Sequence, residues 1–491
     1  MTHKAPYPPF ELPVRRLSVG AVEAAAEATA VGVVVFADDD DVPGIGAARA
    51  SELGFTPKPG ATLVLAGGDA PVTVLLGAGQ RSALDLAAVR NLAAALARAV
   101  PAHTHLAIEL PLSELADSEV AAAAVEGAAL ARYVYRIGAE SDDARLDSLE
   151  LVAGQARLDD LAAGIARGEV LVRAAKLTRD LAGTPGGMLT PTQVGRVALE
   201  IGAAAGLEVE VVGEDELVEL GCGGLLGVSL GSEEPPVMVK LRYRPEGTPS
   251  GRLALVGKGI TYDAGGLALK PGDEIHATMK NDMTGAGAVF AAMTALKELG
   301  CTNEVIGYLM CTDNMPSGSA LRLGDIIVMR GGTTVEVINT DAEGRLVMAD
   351  ALVLATEEKV DAIVDIATLT GACLRTFGTE IAGVMGNNEA ILGQLKAASA
   401  RVDEPVWELP LAHRYRGELT STIADLRNMG GVNAGSITAA LFLNEFVAGI
   451  PWAHIDIAGT AQSPADRGWI NKGTTGWGTR LLIDFALNFS A

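Results

Sequence analysis

Histidine, cysteine and positive charge are all scarce in this chain. There are six histidines among 491 residues and no HExxH pair, so a metal site has to be built mostly from carboxylates. The four cysteines, Cys222, Cys301, Cys311 and Cys373, form no CxxC pair and no zinc-ribbon spacing. Free thiols in a chain of this size suit a reducing compartment. Lys and Arg number 38 against 61 Asp and Glu, a net charge of −23. Residues 1–165 alone hold 12 basic and 22 acidic side chains. Neither half has the cationic footprint that a general nucleic-acid binder needs to displace counterions. No apolar run approaches the ~18–20 residues that span a bilayer. The opening residues 1–16 carry charge and prolines but no apolar core, so no secretory signal is expected and the chain is read as cytoplasmic.

What is present is globular: 49 % of residues are hydrophobic and 20 % charged. At roughly 150 residues per domain the length allows two to four domains. Short apolar runs at 31–37, 62–67, 72–77 and 105–110 read as buried strands. Residues 83–99 and 117–137 have helical spacing. A long helix is expected over 158–182, ending before Thr184-Pro185-Gly186-Gly187. Beyond Pro191, strands are expected at 208–213, 238–243, 253–260, 304–310, 362–369 and 453–459, and helices at 283–299, 346–358, 388–399 and 435–448. Strands apolar on both faces imply a sheet covered on both sides. The reading is two α/β domains: an amino-terminal one over 1–160, a linker over 161–190, and a carboxy-terminal domain over 191–491. The last has a mixed, largely parallel sheet with helices on both faces.

Three features resemble functional motifs and are read as structural. The run Asp38–Asp41 is a solvated loop. Gly77-Ala-Gly79-Gln-Arg-Ser-Ala83 has the form of a dinucleotide fingerprint but lacks the acidic residue about 20 positions on, so it is a tight strand-to-helix turn. Gly227-Val-Ser229-Leu-Gly231 matches a nucleophile elbow, which must run strand–turn–helix. The prolines of SEEPPVMVK oppose a helix there, so Ser229 reads as a loop serine. His413 and His454 are the downstream bases considered, and His454 sits in a strand-like run as a packed core residue.

Three strand ends in the second half collect polar residues that a pure core would not want. Val256 to Lys270 reads as an apolar strand followed by a Gly-rich loop presenting Lys258, Asp263 and Lys270. Asp282 falls at the start of a helical stretch. Asp341, Glu343 and Arg345 follow where strand gives way to helix. Open α/β sheets place ligands at the carboxyl ends of strands. Asp263, Asp282, Asp341 and Glu343 converging without compensation would be strongly unfavourable. Two divalent cations would neutralise them, and a pair about 3.5–4 Å apart can share a bridging carboxylate and activate a water. Lys258 could ligate only as the neutral amine, towards which burial and a metal both push it. Lys270 and Arg345 stay cationic, suited to polarising a carbonyl or holding an anion. The alternative is that Asp282 and Asp341 merely cap helices.

The stretch NTDAEGRL (339–346) resembles the signature of the leucyl (cytosol) aminopeptidase family, hexameric dinuclear metallopeptidases. The resemblance extends over GKGITYDAGG (257–266), LALKP (267–271), MKNDMTGA (279–286), DNMPSGSALRLGD (313–325), DIATLTGAC (365–373), GGVNAGSITAALFL (430–443), AHIDIAGTA (453–461) and TGWGTR (475–480). It is much weaker over 1–170. It implies one metal held by Lys258, Asp263, Asp282 and Glu343. It implies a second, more exchangeable one held by Asp263, Asp341 and Glu343 with the Asp341 main-chain carbonyl. Mn²⁺ or Zn²⁺ is expected, and Co²⁺ or Mg²⁺ also suits such a site. Lys270 would stabilise the oxyanion, and Arg345 would hold a bicarbonate acting as general base. Met279, Thr368, Gly371, Ala458 and Ala461 would line the pocket for the first side chain, with the Leu369 carbonyl near the substrate amine. The implied activity is release of Leu- or Met-like residues from peptides with a free amino terminus by a dimetal-bridged water or hydroxide. The apolar pocket predicts broad specificity, since a methylene is worth only about 1–3 kcal/mol.

The chain departs from the family pattern in two places. Gly183 and Gly187 stand where the family usually has asparagines. Lys270 and Asp282 are 12 apart, which reads as a one-residue insertion in the 271–278 loop, where His276 is expected to be exposed, with a substrate or metal contact as the alternative. Three competing functions differ in what they predict. A DNA-binding relative would be retained on DNA at physiological salt. A serine hydrolase at Ser229 would resist chelators. An inactive scaffold would leave the seven catalytic and metal positions unfilled, whereas all are filled here. The implied partners are peptide substrates and further copies of the chain in a homohexamer, with no membrane and no nucleic acid.

Overall fold

The computed structural model describes residues 10–12, 17–68, 70–138 and 145–491. Most of the amino-terminal segment read above for charge and prolines lies outside the described residues. The chain divides into two compact units. Described residues from Leu17 to Lys176, with Ser463–Gly473, form one; Leu177–Gln462 with Thr474–Ala491 form the other. The sequence reading placed a linker over 161–190. The division falls within that span, inside one continuous helix, Leu158–Gly183.

The first unit holds a six-stranded sheet in the order Ser18–Val22, Ser148–Val152, His105–Glu109, Ala30–Phe36, Val72–Gly79, Thr62–Leu65. All neighbours are parallel except the last pair. The helices Leu86–Ala99 and Asp117–Ala131 meet at Gly127, where a Cβ would lie 2.0 Å from the Arg90 carbonyl oxygen. Glycine is required there because any side chain would push the helices apart. The Gly77–Ala83 stretch is a strand end and a short turn leading to the helix capped by Asp85. The acidic run turns the chain, with Asp39 paired to Arg81 at 2.6 Å. Ser463–Gly473 joins this unit through Arg98, which donates to the carbonyls of Gly468 and Ile470.

The second unit is built on an eight-stranded mixed sheet in the order Val406–Glu408, Ala382–Gly386, Trp452–Asp456, Ala362–Ala367, Arg252–Asp263, Glu304–Asn314, Val237–Tyr243, Glu208–Val212. The four strands from Trp452–Asp456 to Glu304–Asn314 are mutually parallel and almost wholly buried. Being apolar on both faces, they must be covered on both. Gly257 faces the helix Thr284–Ala295, where a Cβ would lie 2.6 Å from the Ala286 Cα. Successive strand residues point to opposite faces, so Lys258 reaches the other side. There Gly344 opens the helix Gly344–Glu357 against the Lys258 stem, a Cβ on it falling 2.7 Å from Cε.

Register sets the site. Ala367 lies opposite Asp456, and Ile366 opposite Gly257. A register shift between Thr312 and Asp313 brings Asn314 opposite Asp263. Among the described residues no helix is long and apolar enough to cross a membrane.

Candidate functional site

Lys258 lies within the strand expected at 253–260, and Asp263 ends that strand, Arg252–Asp263, rather than lying in the Gly-rich loop expected to carry it. Pairing with Glu304–Asn314 extends the strand through Thr261 and Tyr262, beyond its apolar run. The loop starts after Asp263. Gly265 and Gly266 there have φ of 88° and 63°, a region that favours glycine. They let the backbone pass so close that a Cβ would meet Asp341 Oδ1 and Asn314 Oδ1 at 2.8 Å. The loop then brings Lys270 back, its N–H bonded to the Ala264 carbonyl at 2.9 Å.

The expected carboxylates converge. One oxygen each from Asp263, Asp341 and Glu343 lie within 4.8 Å of one another. The Lys258 ammonium sits 2.8 Å from Asp282 Oδ2 and 2.8 Å from Glu343 Oε1, and donates to the Thr368 carbonyl at 3.0 Å. Lys270 Nζ lies 2.8 Å from Asp263 and 2.6 Å from Asp341. Asp282 is in the single turn Met279–Met283 ahead of the helix Thr284–Ala295, and that helix is capped by Met283. Glu343, not Asp341, precedes the helix Gly344–Glu357, without a side-chain cap bond. Neither Asp282 nor Asp341 is a helix cap.

Four carboxylates therefore face two ammonium groups, and the imbalance is visible at Asp282, Glu343 and Asp341. Burial pushes the Asp282 carboxyl up to about 7, with Lys258 opposing and Asp263 adding. Burial, then the Asp263 charge, pushes Glu343 up to about 8. Asp341 is raised by burial first and Asp263 second. Burial works against the Lys258 ammonium, as the sequence reading supposes, but Asp282, Glu343 and Asp263 together outweigh it and raise its pKa. The neutral amine that a ligand role requires therefore needs a cation competing for those carboxylates. Lys270 is raised for the same reason.

Arg345 is buried on the first turn of Gly344–Glu357. Burial lowers its guanidinium to about 10, against the pull of Glu343 and Asp456. Its Nε and Nη1 are buried without a hydrogen-bond partner. Buried donors left so are costly, and an anion would satisfy them.

Most of the residues expected to contact substrate lie beyond the carboxyl ends of two adjacent parallel strands, Gly371 as the first residue of the helix Gly371–Phe377. Thr368, Leu369 and Gly371 follow Ala362–Ala367, while Ala458 and Ala461 follow Trp452–Asp456. Thr368 is tied to the metal-ligand candidates, its hydroxyl donating to Asp282 Oδ1 at 2.6 Å. Met279 opens the turn that carries Asp282.

Two residues here carry no spacing signal. Asn314 Nδ2 donates to Asp263 Oδ1 at 2.9 Å, to the Thr340 carbonyl at 3.0 Å, and stands 3.4 Å from Glu343 Oε2. Asp456 accepts the main-chain N–H groups of Leu369, Thr370 and Ala458. The dipeptide Asp313-Asn314 at a strand end, and an aspartate within an apolar strand, are the signals that would have found them.

Other expectations need correction. Ser229 ends the helix Gly223–Ser229, and its hydroxyl donates back to the Leu226 carbonyl at 2.8 Å. The stretch runs helix then turn, so it is neither an elbow nor a loop. His276 is not exposed in a loop. It is half-buried in the short helix Glu274–Ala277, stacked on Tyr262 at 6.0 Å. His454 is fully buried, its Nδ1 2.5 Å from Asp365 Oδ1, as a core residue should be.

Comparison with known proteins places these features in a family. The catalytic-domain profile of the cytosol aminopeptidase family matches residues 176–483, and its amino-terminal-domain profile matches 19–137. A protein of Solibacter usitatus (strain Ellin6076) named "Probable cytosol aminopeptidase" is 42 % identical over 423 residues, 85 % of this chain and 87 % of its own. One of the same name from Synechococcus sp. (strain JA-3-3Ab) is 41 % identical over 90 % and 89 %. Among solved structures, the bottromycin maturation enzyme BotP in complex with Mn has a TM-score of 0.86 at 36 % identity, covering 94 % of this chain and 99 % of that one. A mutant tomato leucine aminopeptidase has a TM-score of 0.88 at 29 % identity, covering 98 % of each.

Proposed function

The chain belongs to the cytosol aminopeptidase family and is a metal-dependent aminopeptidase, and from that premise we propose that it uses two divalent cations to release Leu- or Met-like residues from peptides with a free amino terminus. The convergence of Asp263, Asp282, Asp341 and Glu343 on two lysines carries this reading. Four carboxylates against two ammonium groups leave room for further positive charge, and hard oxygen donors with one amine suit Mn²⁺ or Zn²⁺. One cation would be held by Lys258, Asp263, Asp282 and Glu343. The other would be held by Asp263, Asp341, Glu343 and the Asp341 main-chain carbonyl.

When bound, such cations supply Lewis acidity and a water acidic enough to attack at neutral pH, and bicarbonate supplies a general base. The chain's own residues do the rest. Arg345 offers two unpartnered buried donors to the bicarbonate. Lys270, anchored between Asp263 and Asp341, presents a positive charge where the scissile carbonyl becomes an oxyanion. The Leu369 carbonyl accepts from the substrate's amine, and a requirement for an unblocked terminus would follow from that free amine binding one of the cations, which an acylated nitrogen could not do. Met279, Thr368, Gly371, Ala458 and Ala461 form an apolar wall for the first side chain. The protein acts in the cytoplasm as a homohexamer on peptides, away from membranes and nucleic acids.

The deciding experiment compares Leu-p-nitroanilide with its N-acetylated form, before and after chelation and re-addition of Mn²⁺ or Zn²⁺. Cleavage of the free amine alone, lost on chelation and restored by metal, is expected. Lys270→Ala and Glu343→Ala should each abolish it in folded protein. No activity with any metal would overturn the proposal. Sedimentation should give six times the 50.4 kDa chain mass.

A further inference from the structure

The Asp456 carboxylate is fully buried at the end of the strand Trp452–Asp456, yet no role in binding metal falls to it. All its hydrogen bonds go to two loops. Oδ1 accepts the N–H groups of Leu369 at 3.3 Å, Thr370 at 3.3 Å and Ala458 at 3.1 Å. Oδ2 accepts the Thr370 hydroxyl at 2.6 Å. That hydroxyl also faces Ser436 Oγ at 2.8 Å and accepts the Cys373 N–H, which caps the helix Gly371–Phe377.

These bonds fix the direction of one peptide group. In a trans peptide the C=O and the following N–H point oppositely, and among the described residues no peptide bond is cis. The Leu369 N–H points at Asp456 while the preceding carbonyl, of Thr368, is taken by Lys258 at 3.0 Å. The Thr370 N–H also points at Asp456, so the Leu369 oxygen is turned away from it. Among the described residues that oxygen accepts no main-chain hydrogen bond. We propose that Asp456 is a positioning residue that aims the Leu369 carbonyl at the substrate's terminal amine. This rests on the aminopeptidase reading, in which that carbonyl meets the amine.

The test is calorimetric binding of leucine hydroxamate and of its des-amino analogue, 4-methylpentanohydroxamic acid, to metal-loaded wild type and Asp456→Asn, with metal content measured alongside. Asp456→Asn is expected to bind leucine hydroxamate about tenfold more weakly, the loss of roughly one hydrogen bond to a charged group. Binding of the des-amino analogue and metal content should be unchanged. KM for Leu-p-nitroanilide should rise by a similar factor, with kcat changing less. Thr370→Val, which removes the 2.6 Å bond without adding charge, should move the same way, and Thr370→Ser should match wild type. Equal weakening of both hydroxamates, or of neither, would overturn the proposal. So would loss through Thr370→Val of metal rather than of amine discrimination. Because binding is read without turnover, an inactive wild type would count against the aminopeptidase reaction and leave this result interpretable.

Discussion

Asn314 stands where two carboxylates must hold still. Its amide has two N–H bonds and faces three acceptors, on Asp263, Thr340 and Glu343, and the shift in strand pairing at Thr312 fixes its place. Groups that orient metal ligands are typically worth about 10–100-fold in metal affinity. Asn314→Ala should therefore weaken Mn²⁺ binding by about that factor, measured by competition with a chelator of known affinity, while the fold is kept. An unchanged affinity would mean that the carboxylates are held by their lysines alone. The four carboxylates could be read from sequence because acidic residues flanked by apolar ones at strand ends need a reason to be there. Asn314 and Asp456 carry only the weaker sign of a polar residue at the end of an apolar strand, and their roles do not follow from it, because what they do depends on which loop lies against them. His276 went astray for a related cause: a short helix capped by Asp273 formed within a loop too brief for a periodicity to declare itself.

The strand Arg252–Asp263 and the helix Thr284–Ala295 approach one another through glycines. A Cβ on Gly285 would lie 2.2 Å from the Ile366 carbonyl oxygen and 3.0 Å from the Lys258 N–H nitrogen. Both are backbone atoms that cannot rotate away, so Gly285→Ala must push the helix off the sheet. Overpacking of this kind costs about 1–3 kcal/mol, and a lower melting temperature of the metal-free protein should report it. On the other face Asp350 fastens the helix Gly344–Glu357, accepting the Leu225 and Arg330 N–H groups at 2.9 Å each. Burial pushes its carboxyl up to about 7 despite those bonds. The folded state thus holds this proton more tightly than the unfolded chain, whose ordinary value is near 4. The stability that protonation contributes is full below about pH 4 and is lost as the pH rises towards 7. The stability of wild type relative to Asp350→Asn should therefore fall across that range in urea titrations; a pH-independent difference would contradict it. The strands buried on both faces were readable because their apolar runs are continuous. The strands Ala382–Gly386 and Val406–Glu408 are short, lie at one end of the sheet and have no such run. The helix Pro191–Ala204 was passed over although Thr190-Pro191 announces it, with threonine as cap and proline in the first turn.

The chain as a whole carries −23 charges, and that excess acts on every ligand before contact. A peptide approaching an acidic surface is repelled if its distal residues are acidic and attracted if they are basic, although the first side chain and the scissile bond are the same. The effect belongs to the encounter and to weak binding, so it should appear in kcat/KM and fade as salt shortens the screening length from about 30 Å at 0.01 M to about 3 Å at 1 M. For Leu-Gly-Gly extended by two lysines or by two glutamates, the basic peptide should be cleaved with the higher kcat/KM at low salt. The two should converge by about 1 M, with kcat little altered in either case. A preference that persists at high salt would instead point to a specific side-chain contact beyond the pocket. The same net charge is why a role in binding nucleic acid was set aside from the sequence: phosphate repulsion has the sign of the glutamate peptide and a far larger charge density.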